Sequence, residues 1–326
     1  MSSMAWVRRL RVNPLPCLAS SAGVALGYFV KRDLLGEDPG PIGSLWERPE
    51  VERILKKQRE DGSWKYPGRR RRAYENENYD LLQTYRMLGV LVEQYGLDRR
   101  HPAIRHAAGY LVLHQTAEGD IRGIFGAQYA PHYTAGIMEL LIKAGYEEDS
   151  RIDRGFEWFL SNRQEDGGWA WPLRTANVRY EDAVGRLRPV QTDNSRPFSH
   201  ALTGFVLRAF AAHPAYRKSA EARVAGQRLK TRFFKPDKYP DRRAVHYWTK
   251  FQFPFWWANI LTALDSLSLI GFSSDDADIQ NGLEWFVSNQ EADGLWPTSR
   301  GKGKKAEAVR LWVGLAVCRV FKRFHS

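Results

Sequence analysis

The stretch SNRQEDGGWAW, residues 161–171, recurs in altered form along the chain, and this repetition decides the fold. Residues 56–67 and 288–299 carry the same order of Gln, Asp-Gly and Trp. Residues 113–123 keep the Gln and the Gly without the Trp, and residues 232–241 fit one more, eroded copy. The copies return about every 50 to 60 residues, which indicates an internal structural repeat.

Each repeat predicts a pair of helices. The segment before each motif is amphipathic, with apolar residues such as Ile152, Phe156 and Phe159 at helical spacing. The Gly after it ends this outer helix, because glycine readily adopts the left-handed conformation, and the Trp is expected to wedge against the neighbouring hairpin. The segment after the motif is more apolar, as in an inner helix that is buried on most sides. The predicted outer helices are 49–60, 101–115, 150–164 and 275–290, and the inner ones are 78–95, 132–145, 197–213, 255–271 and 308–321.

Composition narrows the class of protein. The chain has 326 residues, and its 43% of hydrophobic residues suffice for a substantial core. Two cysteines, Cys17 and Cys318, lie near opposite ends, which excludes a disulfide framework and a paired-cysteine metal motif. We therefore expect a cytoplasmic protein without disulfides.

Gln-x-x-Asp-Gly-x-Trp repeats between paired helices resemble those of the terpene cyclase and protein prenyltransferase β-subunit superfamily. The resemblance covers about residues 43–323. It implies an all-α fold, an α/α toroid in which about five helical hairpins form two concentric rings around a central cavity. We expect a short helical N-terminal extension, residues 1–42, followed by the toroid domain, residues 43–326.

The catalytic signatures of that superfamily are missing. A cyclase similar to squalene-hopene cyclase would need an Asp-x-Asp-Asp acid motif, and the acids of residues 273–280 precede an outer helix instead. A prenyltransferase β-subunit would need Asp, Cys and His zinc ligands, and neither cysteine has such neighbours in sequence. No metal and no cofactor are expected.

Charge is concentrated in the loops that lead from outer to inner helices. The five loops together carry a net charge of +13, more than the +12 of the whole chain. In a toroid these loops lie at one end of the ring, where the positive dipole ends of the inner helices also point. The pattern predicts a basic mouth that selects an anionic ligand. The predicted phosphate-binding residues are Arg69, Arg70, Arg71, Arg72, Arg242, Arg243, Lys302, Lys304 and Lys305.

Polar and aromatic residues mark the first turns of the inner helices, where they would line that mouth. A polar stripe on an apolar helix needs water, a cavity or a ligand to satisfy it. Glu77, Asp80 and Asp193 are the candidate catalytic carboxylates. The candidate substrate-binding residues are Asn76, Tyr79, Gln83, His132, Tyr133, Glu139, Asn194, His200, Trp256, Trp257 and Asn259.

The first hypothesis is an enzyme that flips a nucleotide of DNA into the cavity and cleaves its N-glycosidic bond. Basic loops would hold phosphates, aromatic rings would stack on the base, and a carboxylate would stabilise the oxocarbenium-like sugar or activate water. Such a glycosylase-type hydrolase needs no metal.

Other functions stay open. A basic mouth and an aromatic wall also suit an isoprenoid enzyme, cyclase-like or prenyltransferase-like, that binds a diphosphate and stabilises a carbocation. A non-catalytic protein that binds an anionic polymer and an enzyme acting on acidic polysaccharides are further alternatives. The oligomeric state cannot be read from the sequence, and no stable membrane insertion is expected.

Overall fold

The computed structural model describes residues 4–20, 23–68, 77–299 and 303–325. Throughout these ranges the regular elements are helices, and extended pairing is limited to isolated bridges such as Gln58 with Trp64. The α-helices are α1 (Leu15–Ser20), α2 (Val24–Phe29), α3 (Pro49–Leu55), α4 (Tyr79–Tyr95), α5 (Pro102–Val112), α6 (Pro131–Leu141), α7 (Ser150–Ser161), α8 (Pro172–Thr175), α9 (Tyr180–Ala183), α10 (His200–Ala212), α11 (Ala220–Lys230), α12 (Ile260–Ile270), α13 (Ala277–Ser288) and α14 (Lys304–His325). Short 3-10 helices lie at Ala5–Arg9, Ile42–Leu45, Tyr216–Lys218 and Val245–Thr249, and π-helical turns lie at Val30–Leu35 and Ile142–Tyr146.

The predicted fold class, an all-α fold of the α/α-toroid class, is confirmed. The chain forms two compact units, one made of Ile42–Ala225 and the other of Met1–Pro41 with Gly226–Ser326. The division into an extension and a toroid domain at residue 42 stays a prediction. In the part of the chain that the structure describes, no helix is long and apolar enough to cross a membrane.

Outer and inner helices differ in burial as their sequences predict. In α7, an outer helix, Ile152, Phe156 and Phe159 are buried on one face. In α6, an inner helix, every residue except Tyr133 is buried. Two inner helices, α6 and α4, approach closely, since a Cβ atom on Gly136 would lie 2.4 Å from the Tyr85 hydroxyl oxygen. The inner helices therefore form the core of the unit made of Ile42–Ala225.

The repeated tryptophans close their own hairpins. Each indole N–H donates to the carbonyl ten residues earlier, near the end of its own outer helix, over 2.7–2.8 Å. Ile54 O and Phe159 O also accept the backbone amides of Lys57 and Asn162, so the indole uses the second lone pair of these carbonyls. The Trp169 ring packs on Phe159 of α7 and Phe210 of α10. Trp169 therefore lies between the two helices of its own hairpin, where a wedge against the neighbouring hairpin was expected.

The glutamine of the motif makes the contact with the next outer helix. Gln58 Nε2 donates to Gly62 O of its own turn and, over 2.9 Å, to Ala103 O in the first turn of α5. Gln115 Nε2 donates likewise to Gly119 O and, over 2.7 Å, to Arg151 O in the first turn of α7. A first-turn carbonyl already accepts the intrahelical bond of residue i+4, and its second lone pair is the one that the glutamine uses.

The glycine of the motif lies against the backbone of the same neighbouring helix. A Cβ atom on Gly62 would lie 2.2 Å from His106 O of α5, and one on Gly119 would lie 2.2 Å from Arg154 O of α7. Both glycines have positive φ, +87° and +108°, which other residues adopt at a cost. Glycine is required here for its conformation and for its lack of a side chain.

The copy in residues 161–171 is one residue shorter between Gln and Asp-Gly, and its glutamine bonds differently. Gln164 Nε2 donates to Asp193 O over 2.8 Å and to Arg196 O over 2.9 Å. It thereby holds the end of the long loop that leads from α7 to α10.

Two glycine substitutions should have opposite effects on stability. Gly119→Ala forces a Cβ atom into the backbone of α7 at positive φ, so it should lower the free energy of unfolding by roughly 3 kcal/mol. Gly109→Ala lies within α5 with open space around it, so it should raise that free energy by about 0.5–1 kcal/mol. Urea unfolding followed by circular dichroism measures both. Equal effects of the two variants would contradict the backbone contact described for Gly119.

Candidate functional site

Five side chains converge at the start of α6, within the unit made of Ile42–Ala225. We call them the Phe125 cluster: Phe125, His132, Tyr133, Trp171 and Tyr180. The centroid of the Phe125 ring lies 5.6–5.7 Å from those of His132, Tyr133 and Tyr180. The ring centroids of His132 and Tyr133 are 4.2 Å apart, and the centroid of the Trp171 ring lies 6.1 Å from that of His132. These spacings are typical of interacting aromatic rings.

Phe125 reaches the cluster from a tight turn between two glycines. Gly123 and Gly126 pair through an isolated bridge and both have positive φ. Gly123 O accepts a 2.7 Å hydrogen bond from the amide of Asn78, the residue that caps α4. The loop is thereby fixed to the start of α4, which places the ring beside the start of α6.

His132 and Trp171 are joined by a hydrogen bond. Trp171 Nε1 donates to His132 Nδ1 over 3.3 Å, so the imidazole presents Nδ1 as an acceptor. His132 lies in the first turn of α6, and its ring also contacts Phe205 of α10 at 5.7 Å. The imidazole is therefore held between two inner helices and the loop after α7.

A carboxylate borders the cluster. The Tyr180 hydroxyl, on the short helix α9, donates to Glu77 Oε1. Glu77 is only 8% exposed and stands just before the residue that caps α4. A carboxylate beside a helix N-terminus is stabilised by the helix dipole. The site thus combines aromatic faces with one buried acidic group.

Part of the aromatic surface is accessible. Phe125, Tyr133, Trp171 and Tyr180 are each half-buried, whereas His132 is buried. Burial raises the pKa of the Tyr133 hydroxyl above its usual value, and nearby Arg86 offsets only part of this rise. Large half-exposed rings grouped around one point are the kind of surface that holds an apolar or cationic ligand.

Three of the residues predicted from the sequence come together here: Glu77, His132 and Tyr133. Tyr79 lies close by and packs on Tyr66 in a tilted arrangement, with ring centroids 5.2 Å apart. The electrostatic influence of Tyr66 and Tyr79 contributes to the raised pKa of the Tyr133 hydroxyl.

The other two candidate carboxylates are bound to loop residues. Asp80 pairs with Arg59 at 2.8 Å and accepts the Tyr66 amide at 2.8 Å. Asp193 accepts from the Ser195 hydroxyl at 2.6 Å and pairs with Arg196 at 3.2 Å. Asp80, in the first turn of α4, thus holds the loop before that helix, and Asp193 holds its own loop; their catalytic roles stay predictions.

Glu139 belongs to a buried ion network near the carboxyl ends of the inner helices. Its carboxylate lies 2.8 Å from Arg208 of α10 and 2.8 Å from Lys143, which also pairs with Glu93 of α4 at 2.6 Å. Burial alone would raise the pKa of Glu139, but the two cations outweigh burial and lower it. The network ties α4, α6 and α10 together.

The remaining candidates of this unit lie at helix starts and in loops. His200 is buried in the first turn of α10, directly after the capping residue Ser199. Asn194 O accepts the amide of Glu165 at 2.9 Å, and Gln83 is half-buried on α4.

The other unit holds a second group of candidates. Asn259, 1% exposed, caps α12 through a reciprocal pair of hydrogen bonds with Thr262. Trp256 and Trp257 are half-buried just before it, and the Arg242 guanidinium lies over the Trp257 ring. Arg243 is exposed, and Lys304 and Lys305 stand in the first turn of α14. Asn76, Arg69, Arg70, Arg71, Arg72 and Lys302 lie outside the described residues.

Sequence reasoning missed three residues of the site: Phe125, Trp171 and Tyr180. All three stand in loops between outer and inner helices, where no periodic pattern singles them out. The signal that was available is the pair of glycines around Phe125, which indicates a tight turn that presents one side chain.

The comparisons with known proteins concern the fold. No protein-family model and no curated protein matches the chain. A solved type II terpene cyclase from Scytonema, in complex with geranylgeranyl dihydroxybenzoate, is 12% identical, with a TM-score of 0.49 over 96% of this chain and 98% of that one. The same cyclase without ligand gives 12% identity and a TM-score of 0.45 over 95% and 98%. A novel alpha-amylase from Clostridium perfringens is also 12% identical, with a TM-score of 0.44 over 84% and 79%. The resemblance to the terpene cyclase superfamily is confirmed at the level of the fold.

The DNA hypothesis is wrong. The similar solved structures include terpene cyclases in complex with isoprenoid substrate and product, which agrees with the alternative stated from the sequence and not with a glycosylase. The predictions of DNA as the partner, of DNA binding and of base flipping are therefore wrong as well. Physically, a positive net charge of the loops favours any anionic ligand and does not distinguish DNA from a smaller anion.

Removal of the Glu139 carboxylate should destabilise the protein strongly. Glu139→Gln leaves Arg208 buried without its charged partner, which should cost roughly 3 kcal/mol of unfolding free energy at neutral pH. The pKa of Glu139 is lowered in the folded state, so its stabilisation is full above the ordinary carboxyl pKa and is lost as pH falls through the lowered value. The difference between wild type and variant should therefore shrink in acid.

Urea titrations from neutral pH to acid measure that difference. The control is Glu148→Gln, an exposed carboxylate in the turn before α7, which should change the unfolding free energy by less than about 0.5 kcal/mol. A difference between wild type and Glu139→Gln that stays constant down to strong acid would contradict the network.

Proposed function

We propose that the chain is an enzyme that binds an isoprenoid at the Phe125 cluster and stabilises positive charge on its hydrocarbon. The observation that carries the proposal is the convergence of five aromatic side chains on one point bordered by the Glu77 carboxylate. Aromatic faces attract cations through their quadrupole, and the attraction strengthens where water is excluded. A nearby carboxylate adds a counter-charge.

The same geometry suits the hydrocarbon itself. Half-buried faces of Phe125, Tyr133, Trp171 and Tyr180 offer apolar area, and burying such area stabilises a ligand by about 25 cal/mol per Å². An isoprenoid chain is apolar along its length and becomes cationic only when it reacts. A surface that binds the neutral chain and favours its cation therefore provides the differential binding on which catalysis depends.

The solved cyclases that share the fold are named with isoprenoid ligands, among them geranylgeranyl dihydroxybenzoate. These ligands agree with the proposal. The proposal itself depends on the Phe125 cluster and not on the similarity. The Asp-x-Asp-Asp acid motif is missing here, so the group that generates the cation is left open. The cytoplasmic location stays a prediction from the two cysteines.

Binding of a cation mimic tests the proposal directly. A farnesyl analogue with a protonated tertiary amine should bind at least about tenfold more tightly than the neutral alcohol of the same length, because only the amine gains the interaction with the rings and Glu77. Isothermal titration calorimetry measures both ligands. Equal affinity for amine and alcohol would show a merely apolar site and contradict the charge-stabilising role.

A matched pair of variants locates the binding site. Phe125→Leu keeps an apolar side chain but removes the ring, so it should reduce the preference for the amine by about threefold to tenfold while farnesol binding changes little. Tyr216→Leu removes a ring that stacks on Phe156 at 3.8 Å, outside the Phe125 cluster, and should leave that preference unchanged. An unchanged preference in Phe125→Leu would place the cation elsewhere.

Turnover is tested separately. Purified protein is incubated with squalene, with geranylgeranyl-substituted aromatics and with isoprenoid diphosphates, and the extracts are analysed by gas or liquid chromatography with mass spectrometry. We expect at least one cyclised or transferred isoprenoid product, which Glu77→Gln reduces by about tenfold or more. Binding of the amine without any product would leave a binding protein and refute the enzymatic part.

A further inference from the structure

One arginine of the unit made of Met1–Pro41 and Gly226–Ser326 differs from the paired ones. Arg242 follows α11 in a loop, and its guanidinium carbon lies 3.6 Å from the centroid of the Trp257 ring and 4.8 Å from that of Tyr247. The side chain is half-buried. The guanidinium is therefore held by two aromatic rings.

The hydrogen-bond donors of Arg242 find no acceptor within the described part of the chain. Among the residues that the structure describes, no carboxylate, carbonyl or hydroxyl oxygen accepts a hydrogen bond from its guanidinium. A guanidinium carries five N–H donors in its plane, and rings stacked on its faces do not satisfy them. By contrast, Arg310 of the same unit pairs with both Glu291 and Asp293.

Burial without a counter-ion has a measurable consequence. Burial lowers the pKa of Arg242 to about 10, and nearby Tyr247 only partly offsets this. The residue also has a left-handed backbone, with φ of +53°, which is uncommon for a residue with a side chain. Strained backbone and an unpaired charge in one residue are typical of binding sites.

A second cation stands on the same tyrosine. Lys250 Nζ lies 4.8 Å from the centroid of the Tyr247 ring, the same distance as Arg242. Residues 235–250 contain five Lys and Arg residues against two Asp residues. The surroundings of Arg242 are thus positive, and an anion bound there would gain from both cations.

We propose that Arg242 anchors a binding site for a phosphoryl anion, with diphosphate as the preferred ligand. The guanidinium fork matches two oxygens of a phosphoryl group, and Lys250 adds a point charge that a second phosphoryl group can use. A carboxylate has two oxygens and one negative charge, so it would satisfy Arg242 and leave Lys250 without a partner. The inference does not depend on the isoprenoid proposal, since it concerns only the anion.

Calorimetric titration of the full chain with inorganic diphosphate, in the presence of EDTA, tests the site. We expect wild type to bind diphosphate, Arg242→Ala to weaken binding at least about tenfold, and Arg242→Lys to weaken it about fivefold or more because lysine lacks the fork. The matched control is Arg8→Ala, which removes the same charge from an exposed position of the same unit, outside residues 235–250. It should weaken binding by less than about twofold.

The outcomes separate the sources of the anion and decide the proposal. Farnesyl diphosphate that binds more tightly than inorganic diphosphate in an Arg242-dependent way identifies the head group of a phosphorylated isoprenoid, and equal affinity identifies a free anion. If wild type does not bind diphosphate at millimolar concentration, the proposed site is overturned. Equal weakening by Arg242→Ala and Arg8→Ala would show that only general surface charge binds the anion, and it would overturn the site as well.

Thermal unfolding shows whether each variant is folded. If Arg242→Ala does not fold, diphosphate binding by Arg242→Lys tests the site in its place. Because inorganic diphosphate has no hydrocarbon, failure of this site is distinguishable from failure of the Phe125 cluster to bind an isoprenoid.

Discussion

The contact on which the first hairpins depend is the approach of the motif to the backbone of the next outer helix, made by residues 56–67 against α5 and by residues 113–123 against α7. A glutamine amide donates to a first-turn carbonyl of that helix, and a glycine without a side chain lies against its backbone. The contact involves main-chain atoms, so it works whatever side chains the neighbouring helix carries. This explains why the motif persists while most of the surrounding sequence differs between copies. It also leaves the loops after the motif free to vary.

Those variable loops supply the site. Phe125 follows the copy that has lost its tryptophan, and Trp171 and Tyr180 stand in the long loop after α7. In the first of these loops Ile121 takes the tryptophan's place, and its amide still donates to a threonine, Thr134, of the following inner helix. The corresponding bonds of Trp64 and Trp169 go to Thr84 and Thr203. The scaffold therefore tolerates loss of the tryptophan, because the backbone bond is kept.

The sequence is informative about local structure and uninformative about long-range contacts. Helical periodicity predicts α5, α6, α7 and α10 closely, because this signal is local. Glu77 and His132 are found from the start of inner helices for the same reason. The motif glycine does not end the outer helix as expected, since α5 ends at Val112 and α7 at Ser161, before Gly119 and Gly167. The bond between Glu77 and Tyr180 joins residues 103 positions apart, and no pattern in either segment indicates it. Net charge misled the functional prediction, because a positive sum favours any anion and does not single out DNA.

Photoaffinity labelling tests the central claim most directly. A farnesyl analogue with a diazirine on its hydrocarbon is bound to the full chain and irradiated, and the labelled peptides are mapped by mass spectrometry. The account predicts labels on the peptides that contain Phe125, Tyr133, Trp171 or Tyr180, removed by excess unlabelled isoprenoid amine. Labels that such competition does not remove, or competed labels confined to other peptides, would contradict it.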